Sequence, residues 1–214
     1  MAVRAVAFDV GETLVDETRY WNEWADWFGI RPFVLNALLG ATIALREPHR
    51  NVFARARPDL DADEQFAARR EGGRRDMFVE GDLFPDARPC LAKLAERGLR
   101  TCIAGNQPPW MAAEIRGWRL PVEFVSDAAE LDALKPDRRF FFRLLERLRL
   151  EPDEVAYVGD RADNDVAPAA DVGMVAVLVR RGPWGTVTGG WPEAACARPT
   201  IDSLDELPDA LTGV

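Results

Sequence analysis

The sequence predicts an α/β protein: a doubly wound parallel sheet with a helical insertion after its first strand. Two observations predict the sheet. Short apolar runs, too brief for helices, recur along the chain and end in polar residues, and amphipathic helical stretches lie between them. A third observation predicts the insertion, because residues from about 16 to 81 contain helical patterns and no strand-like run.

The first predicted strand includes Val3 and residues 5–8, and it stops at Asp9. Four later runs have the same form: 99–104, 122–125, 154–158 and 174–179. Runs that are apolar on both faces are typical of buried parallel strands, whose ligands bind at the carboxyl ends. The polar residues expected at those ends are Asp9, Asn106, Asp127 and Asp160.

Helices are predicted between these strands, most clearly over 137–149, where five apolar residues recur at helical spacing. A second runs from Ala87 to Gly98, a residue suited to ending a helix, and a last short one lies near 204–211. In the insertion, Trp21, Trp24 and Phe28 share one helical face. We interpret them as packed core, with a substrate-binding aromatic wall as the alternative.

Composition disfavours several classes of function. The 214 residues include 36 acidic and 27 basic ones, a net charge of −9 that repels nucleic acids and anionic membranes. No apolar run reaches the ~20 residues of a membrane span, and the N-terminal apolar stretch is too short for a secretion signal. Three cysteines without a C-x-x-C pair support neither a disulfide framework nor a zinc site. We expect a cytoplasmic protein.

Three segments carry residues suited to phosphate chemistry. Asp9, at the end of a buried strand, can act as a metal ligand or as a nucleophile toward phosphorus. Residues 159–165 contain three more aspartates, which can complete an oxygen site for Mg²⁺ or simply form a solvated loop. The chain has only two lysines, Lys93 and Lys135. Lys135 precedes a predicted helix and can hold a carboxylate ionised.

Four segments follow one another in a distinctive order: F-D-V-G-E-T-L at 8–14, I-A-G-N at 103–106, K-P-D at 135–137 and V-G-D-R-A-D-N-D at 158–165. Their order resembles the haloacid dehalogenase-like superfamily of hydrolases, in the branch with a helical cap after the first strand. The resemblance implies a Rossmann-like catalytic core of residues 1–15 and 82–214. It also implies a mobile cap of residues 16–81 that closes over the site.

The same resemblance implies roles for individual residues. Asp9 would be the nucleophile, and Mg²⁺ would be bound by Asp9, Asp160 and the main-chain carbonyl of Gly11. Lys135 would balance the charge of the nucleophile. Asp165 would either support the metal site or orient Lys135.

Two positions depart from the family's pattern. Gly11 stands where its phosphatases carry a second aspartate, the general acid and base, and Gly105 stands where they carry a serine or threonine. The backbone amides of Gly105 and Asn106 can still donate to phosphate. Three acidic residues near Gly11 in sequence are candidates for the missing acid: Glu12, Asp16 and Glu17.

Two functions remain after the others are weighed. In the dehalogenases of the family, non-acidic residues replace the Gly-Asp pair that follows the fourth strand, whereas Gly159 and Asp160 are both present here. The phosphonate-cleaving members need a lysine in the cap, and residues 16–81 contain none. The first remaining function is a Mg²⁺-dependent phosphatase of a small phosphorylated metabolite, acting through an aspartyl-phosphate on Asp9. The second is a catalytically weakened member that binds a phosphorylated ligand or a protein partner, since Gly11 and Gly105 replace the usual side chains.

Overall fold

The computed structural model describes residues 2–73 and 77–213. The chain forms two compact units: a core unit of Met1–Asp16 with Val79–Val214, and a helical unit of Glu17–Phe78. These bounds differ by one and three residues from those of the predicted insertion. The described part of the helical unit forms the helices α1 (Thr18–Phe28), α2 (Pro32–Ala44), α3 (Asn51–Ala56) and α4 (Ala62–Glu71).

The core unit is built on a six-stranded parallel sheet with strand order β3-β2-β1-β4-β5-β6. Its strands are β1 (Ala5–Phe8), β2 (Arg100–Ala104), β3 (Phe124–Ser126), β4 (Val155–Gly159), β5 (Val175–Val179) and β6 (Thr200–Ile201). The predicted doubly wound α/β fold is confirmed. The sixth strand was not predicted, because its two residues form no apolar run.

Helices connect the strands of the core unit. They are α5 (Ala87–Glu96), α6 (Pro109–Gly117), α7 (Arg138–Leu148), α8 (Ala167–Asp171), α9 (Gly182–Thr188) and α10 (Leu207–Ala210). The prediction of a helix over 137–149 is confirmed by α7. The last predicted helix is broken into single turns, since short 3₁₀ turns precede and follow α10.

Helix α7 shows how the sequence pattern positions an element against the sheet. Its apolar residues are buried and pack in one cluster with side chains of β1, β2, β4 and β5. The buried residues of this face are Phe140, Phe141, Leu144, Leu145 and Leu148. Each such side chain contributes about 1.5–3 kcal/mol by leaving water. The packing holds the start of α7 at the carboxyl ends of the strands.

The core unit joins the two ends of the insertion by backbone hydrogen bonds. After β1 the chain turns, and the Glu12 amide donates to the Val15 carbonyl at 2.7 Å. The Asp16 amide then donates to the main-chain carbonyl of Asp82 at 2.8 Å, and the Phe84 amide donates to the carbonyl of Leu14 at 2.9 Å. The chain therefore leaves and re-enters the core unit at neighbouring points.

The core of the helical unit is aromatic. The ring of Trp24 lies 5.5 Å from that of Phe28, 4.7 Å from Phe53 and 4.4 Å from Phe66. The guanidinium of buried Arg69 lies 4.3 Å from the Trp24 ring centroid, a cation–π contact. The predicted aromatic stripe of α1 is thus part of a packed core.

Among the described residues, no single helix is long and apolar enough to cross a membrane. Within residues 2–73 and 77–213, one pair of helices, α1 and α2, reaches the required length and composition together, but the pair is bent by 112°. The three cysteines are free thiols, of which Cys90 and Cys102 are buried and Cys196 is exposed.

Asp86, at the start of α5, ties three distant segments of the core unit together. Its carboxylate accepts two hydrogen bonds from the Arg181 guanidinium, at 3.0 and 2.6 Å, one from the Ser203 hydroxyl at 2.8 Å and one from the Leu204 amide at 3.0 Å. Burial opposes the charge of Asp86, but Arg181 and Ser203 outweigh it and lower the pKa of the carboxyl. The ionised form is therefore the one that stabilises the fold.

We expect Asp86→Asn to lower the free energy of unfolding by about 2–3 kcal/mol at neutral pH, because the Arg181 charge loses its buried partner. Since folding lowers the pKa of Asp86, its contribution is complete above the unfolded-state pKa of about 3.9 and is lost as pH falls through the folded-state value. The difference between variant and wild type should therefore shrink below about pH 4. Urea denaturation at several pH values measures it.

Asp202→Asn is the matched control, because Asp202 also accepts two hydrogen bonds from one arginine, Arg180, but in an exposed pair. Its loss should cost no more than about 1 kcal/mol. If the two variants lost the same free energy of unfolding, the ion pair of Asp86 and Arg181 would contribute no more than a surface ion pair.

Candidate active site

The carboxylates of Asp9 and Asp160 meet because their strands are neighbours in register. Phe8 at the end of β1 lies beside Val158 of β4, and the Asp9 amide donates to the Val158 carbonyl at 2.9 Å. One carboxylate oxygen from each of Asp9, Asp160 and Asp165 lies within 4.8 Å of the others, and all three residues are buried. Two of the predicted strand-end acids are thus brought together with Asp165.

Lys135 completes this cluster from the loop before α7. Its Nζ donates to Asp9 Oδ1 at 2.7 Å and to Asp165 Oδ1 at 2.6 Å, and its side chain is 1% exposed. The ammonium also lies 5.3 Å from the ring centroid of Tyr157 and 5.9 Å from that of Phe140. Lys135 therefore has carboxylates and aromatic rings as its neighbours.

The electrostatics of the cluster favour a charged lysine. Burial alone would lower the pKa of Lys135, but the carboxylates of Asp165 and Asp9 outweigh burial and raise that pKa well above its usual value. Burial raises the pKa of Asp165, and the Lys135 ammonium opposes the rise. Lys135 is thus an ammonium at neutral pH, and it holds Asp9 in place with a charged hydrogen bond.

Asp165 is held by its own set of contacts. Its Oδ2 accepts from the Arg161 amide at 3.0 Å, and its Oδ1 accepts from Asn164 Nδ2 at 3.2 Å as well as from Lys135. A Cβ at Gly159 would lie 2.4 Å from Asp165 Oδ2, so only glycine admits this carboxylate. Both oxygens of Asp165 are occupied within the protein, which favours the role of orienting Lys135.

The side chain of Asn106 acts on the backbone of Lys135. Asn106 Nδ2 donates to the Lys135 carbonyl at 2.9 Å, and the Lys135 amide donates to Asn106 Oδ1 at 2.8 Å. Sequence reasoning expected only the backbone amide of Asn106 to act, toward substrate, and it missed this pair. The sequence offers only an asparagine shortly after a predicted strand, which does not say which loop its side chain contacts.

Gly105 lies directly against the predicted nucleophile. A Cβ at this position would come 2.7 Å from Asp9 Oδ1 and 2.2 Å from Gln107 Oε1. Both distances are far inside van der Waals contact. A side chain at position 105 would therefore have to displace Asp9, Gln107 or both.

Other acidic residues singled out in the sequence lie in separate environments. Asp127, after the edge strand β3, accepts from the Glu130 amide at 2.9 Å and stabilises a turn. Asp163 pairs with Arg161 at 2.8 Å. Glu12 is buried with φ 49°, and its carboxylate packs against Gly182 at the start of α9. Gly11 is not among the residues with a left-handed backbone.

The donor set at this edge of the sheet suits magnesium. Carboxylate oxygens are the ligands that Mg²⁺ prefers, and it needs only one or two of them beside water and substrate phosphate. Asp9 and Asp160 are the carboxylates best placed to hold it, because they directly follow the neighbouring strands β1 and β4. The cluster has three buried carboxyl groups and one ammonium, so a divalent cation would offset the remaining negative charge.

Comparison with known proteins places this arrangement in a family. The model of the haloacid dehalogenase-like hydrolases matches residues 3–173, which include β1, β2, β4 and the segments 8–14, 103–106, 135–137 and 158–165. The chain belongs to this family of hydrolases. The branch with a helical insertion is consistent with the helical unit that follows β1.

Curated relatives of the hydrolase include phosphatases. It is 34% identical over 107 residues to a glyceraldehyde 3-phosphate phosphatase of Methanopyrus kandleri, covering 46% of this chain and 44% of that one. It is 31% identical over 139 residues to a ribulose-1,5-bisphosphate 5-phosphatase of Halopiger xanaduensis, covering 62% of this chain and 58% of that one. The chain thus spans about half the length of these relatives.

Solved structures share the fold across the whole chain. A phosphatase of this family from Thermococcus onnurineus has a TM-score of 0.61 at 24% identity, covering 99% of both chains. The L-2-haloacid dehalogenase of Xanthobacter autotrophicus has a TM-score of 0.68 at 20% identity, also covering 99% of both. These likenesses establish the fold and do not separate phosphatase from dehalogenase.

We expect Asp160→Ala to abolish Mg²⁺ binding, because it removes one of the two carboxylates best placed to hold the ion. Isothermal titration with Mg²⁺, in the presence and absence of a phosphate analogue, measures the affinity. Asp163→Ala is the matched control, since it removes an aspartate of the same loop that pairs with Arg161. If wild type binds no Mg²⁺ under either condition, the metal assignment is wrong.

Proposed function

We propose that this hydrolase is a Mg²⁺-dependent phosphatase of a small phosphorylated metabolite. The observation that carries the proposal is the buried cluster in which Lys135 Nζ contacts Asp9 and Asp165 while Asp160 lies alongside. A nucleophilic carboxylate, a fixed cation and a second carboxylate for a metal are the parts that phosphoryl transfer needs. The phosphatase names of the curated relatives support the same class of substrate.

In the proposed reaction Asp9 attacks the phosphorus atom, a bond forms between its carboxylate oxygen and phosphorus, and the bond from phosphorus to the leaving oxygen breaks. Water then hydrolyses the aspartyl-phosphate, which releases phosphate and restores Asp9. Lys135 orients Asp9 and faces its carboxylate with a positive charge through the 2.7 Å hydrogen bond. When bound between Asp9 and Asp160, Mg²⁺ would supply positive charge to the phosphoryl oxygens.

Two supporting contacts preorganise these groups. Asn106 fixes the backbone of Lys135 through two hydrogen bonds, so the lysine reaches Asp9 from a defined position. Asp165 holds the same ammonium from the other side at 2.6 Å. We propose that the helical unit serves as the cap that closes over the site, as the family resemblance implies, and that its side chains select the substrate.

The absence of a carboxylate at position 11 favours a second candidate function. Glycine at this position supplies no side chain to protonate a departing alkoxide, and a general acid and base contributes typically ~10²–10⁴-fold to a rate. A protein so weakened could serve mainly to bind a phosphorylated ligand or a partner protein. The complete cluster of Asp9, Lys135, Asp160 and Asp165 favours the enzyme.

We expect the wild type to hydrolyse aryl and acyl phosphates far better than alkyl phosphates, by roughly 10²-fold or more, because a poor leaving group receives no proton. Gly11→Asp should raise kcat/KM for an alkyl phosphate by about 10-fold or more while changing that for an aryl phosphate little. Steady-state kinetics with p-nitrophenyl phosphate and glycerol phosphate, with and without Mg²⁺, measure both effects.

Gly11→Ala is the control for adding a Cβ without a carboxylate, and it should not raise alkyl phosphate hydrolysis. Since Gly11 has no left-handed backbone, neither substitution adds φ strain. Similar wild-type rates on alkyl and aryl phosphates would mean that another residue acts as the acid. Failure of the wild type to hydrolyse any phosphate ester would favour the binding function.

A further inference from the structure

Two buried side-chain oxygens of the core unit have no hydrogen-bond partner among the residues that the structure describes. They are Thr13 Oγ1 and Gln107 Oε1. Thr13 follows β1 and Gln107 follows β2, and these strands are neighbours in the sheet. Because folded proteins leave few buried polar atoms unsatisfied, two such oxygens in the loops beside Asp9 point to a ligand that is hydrogen-bonded there.

Gln107 lies where its end group can reach the reacting atoms. The point that a Cβ of residue 105 would occupy is 2.2 Å from Gln107 Oε1 and 2.7 Å from Asp9 Oδ1. The end of the Gln107 side chain therefore fills the space beside Asp9 that the side chain of residue 105 would otherwise take. This space is available because residue 105 is a glycine and not the serine or threonine of the family's phosphatases.

The chemistry of the carboxamide fits a phosphoryl oxygen. A glutamine end group has one acceptor oxygen and an NH₂ with two donors, and rotation about its last side-chain bond exchanges their positions. A hydroxyl at position 105 would supply one donor, and Gln107 supplies the same kind of donor from two residues further along the chain. The carboxamide carries no charge, so it adds no repulsion beside Asp9.

We propose that Gln107 binds the phosphoryl group of the substrate, donating through Nε2 to one of its oxygens in place of the side chain absent at Gly105. This inference rests on the proposed phosphatase function and assigns the substrate-binding role to a residue outside the family-like segments. It also explains why residue 105 is a glycine: a Cβ at this position would collide with the end of the Gln107 side chain.

The test compares wild type, Gln107→Ala and Gln65→Ala. Gln65 is the other glutamine of the chain, and in the helical unit its Oε1 accepts a hydrogen bond from Trp27 Nε1 at 2.9 Å, so its loss removes a carboxamide elsewhere. The dissociation constant of inorganic phosphate is measured by calorimetry in the presence of Mg²⁺, beside kcat and KM for p-nitrophenyl phosphate. We expect Gln107→Ala to weaken phosphate binding roughly 10- to 100-fold, the range of a hydrogen bond to a charged group, and Gln65→Ala to leave it unchanged.

Gln107→Glu separates the donor from the shape of the side chain. The two side chains have nearly the same size, but an ionised carboxylate has no donor and repels phosphate. At neutral pH the phosphate affinity of this variant should therefore fall at least as far as that of Gln107→Ala. A role of Gln107 in filling space alone predicts instead that Gln107→Glu, which keeps the shape, binds phosphate better than Gln107→Ala does.

Each outcome separates this inference from the proposed function. If wild type hydrolyses phosphate esters and Gln107→Ala binds phosphate as wild type does, Gln107 is not a ligand and the phosphatase assignment stands. If Gln107→Ala lowers kcat with unchanged phosphate affinity, Gln107 acts on Asp9, and the inference is overturned. If wild type binds phosphate through Gln107 without turnover, the inference stands and the enzyme assignment fails. If wild type neither binds nor hydrolyses phosphate, both are wrong.

Discussion

The hydrogen bonds from Lys135 Nζ to Asp9 and Asp165 are the interaction on which the rest of the site depends. A lysine ammonium buried to 1% exposure is stable only if opposite charges and hydrogen bonds replace the water it loses. The two carboxylates supply both, so three segments far apart in the chain must meet at one point. The parallel order of β1 and β4 makes that meeting possible.

Glycines and backbone hydrogen bonds around Lys135, Asp9 and Asp165 set the distances between these side chains. Gly159 admits the Asp165 carboxylate, and Gly105 admits Asp9 and Gln107 at approaches that a Cβ would block. The side chain of Asn106 fixes the Lys135 backbone by two hydrogen bonds. The chemistry of the cluster thus depends on glycine and asparagine positions that carry no charge themselves.

The sequence predicts the sheet and the carboxylate cluster well because both rest on strong local signals. Buried parallel strands are continuous apolar runs, and polar residues at their ends fall on one edge of the sheet, which is why Asp9 and Asp160 are found together. Strand β6 has only two residues and Gly105 has no side chain, so neither produces such a signal. The contacts of Asn106 and Gln107 join loops from different strands, and no periodic pattern records which way a loop side chain points.

The backbone pairing at the two ends of the insertion has a consequence for how this protein can diversify. Because Leu14 and Asp16 are hydrogen-bonded to Phe84 and Asp82, the closing point of the inserted segment is fixed within the sheet-bearing unit. A segment that starts and finishes at adjacent positions can gain or lose residues at a cost in loop-closure entropy that grows only with the logarithm of its length. Evolution can therefore exchange the insertion while the strand register that aligns the carboxylates stays as it is.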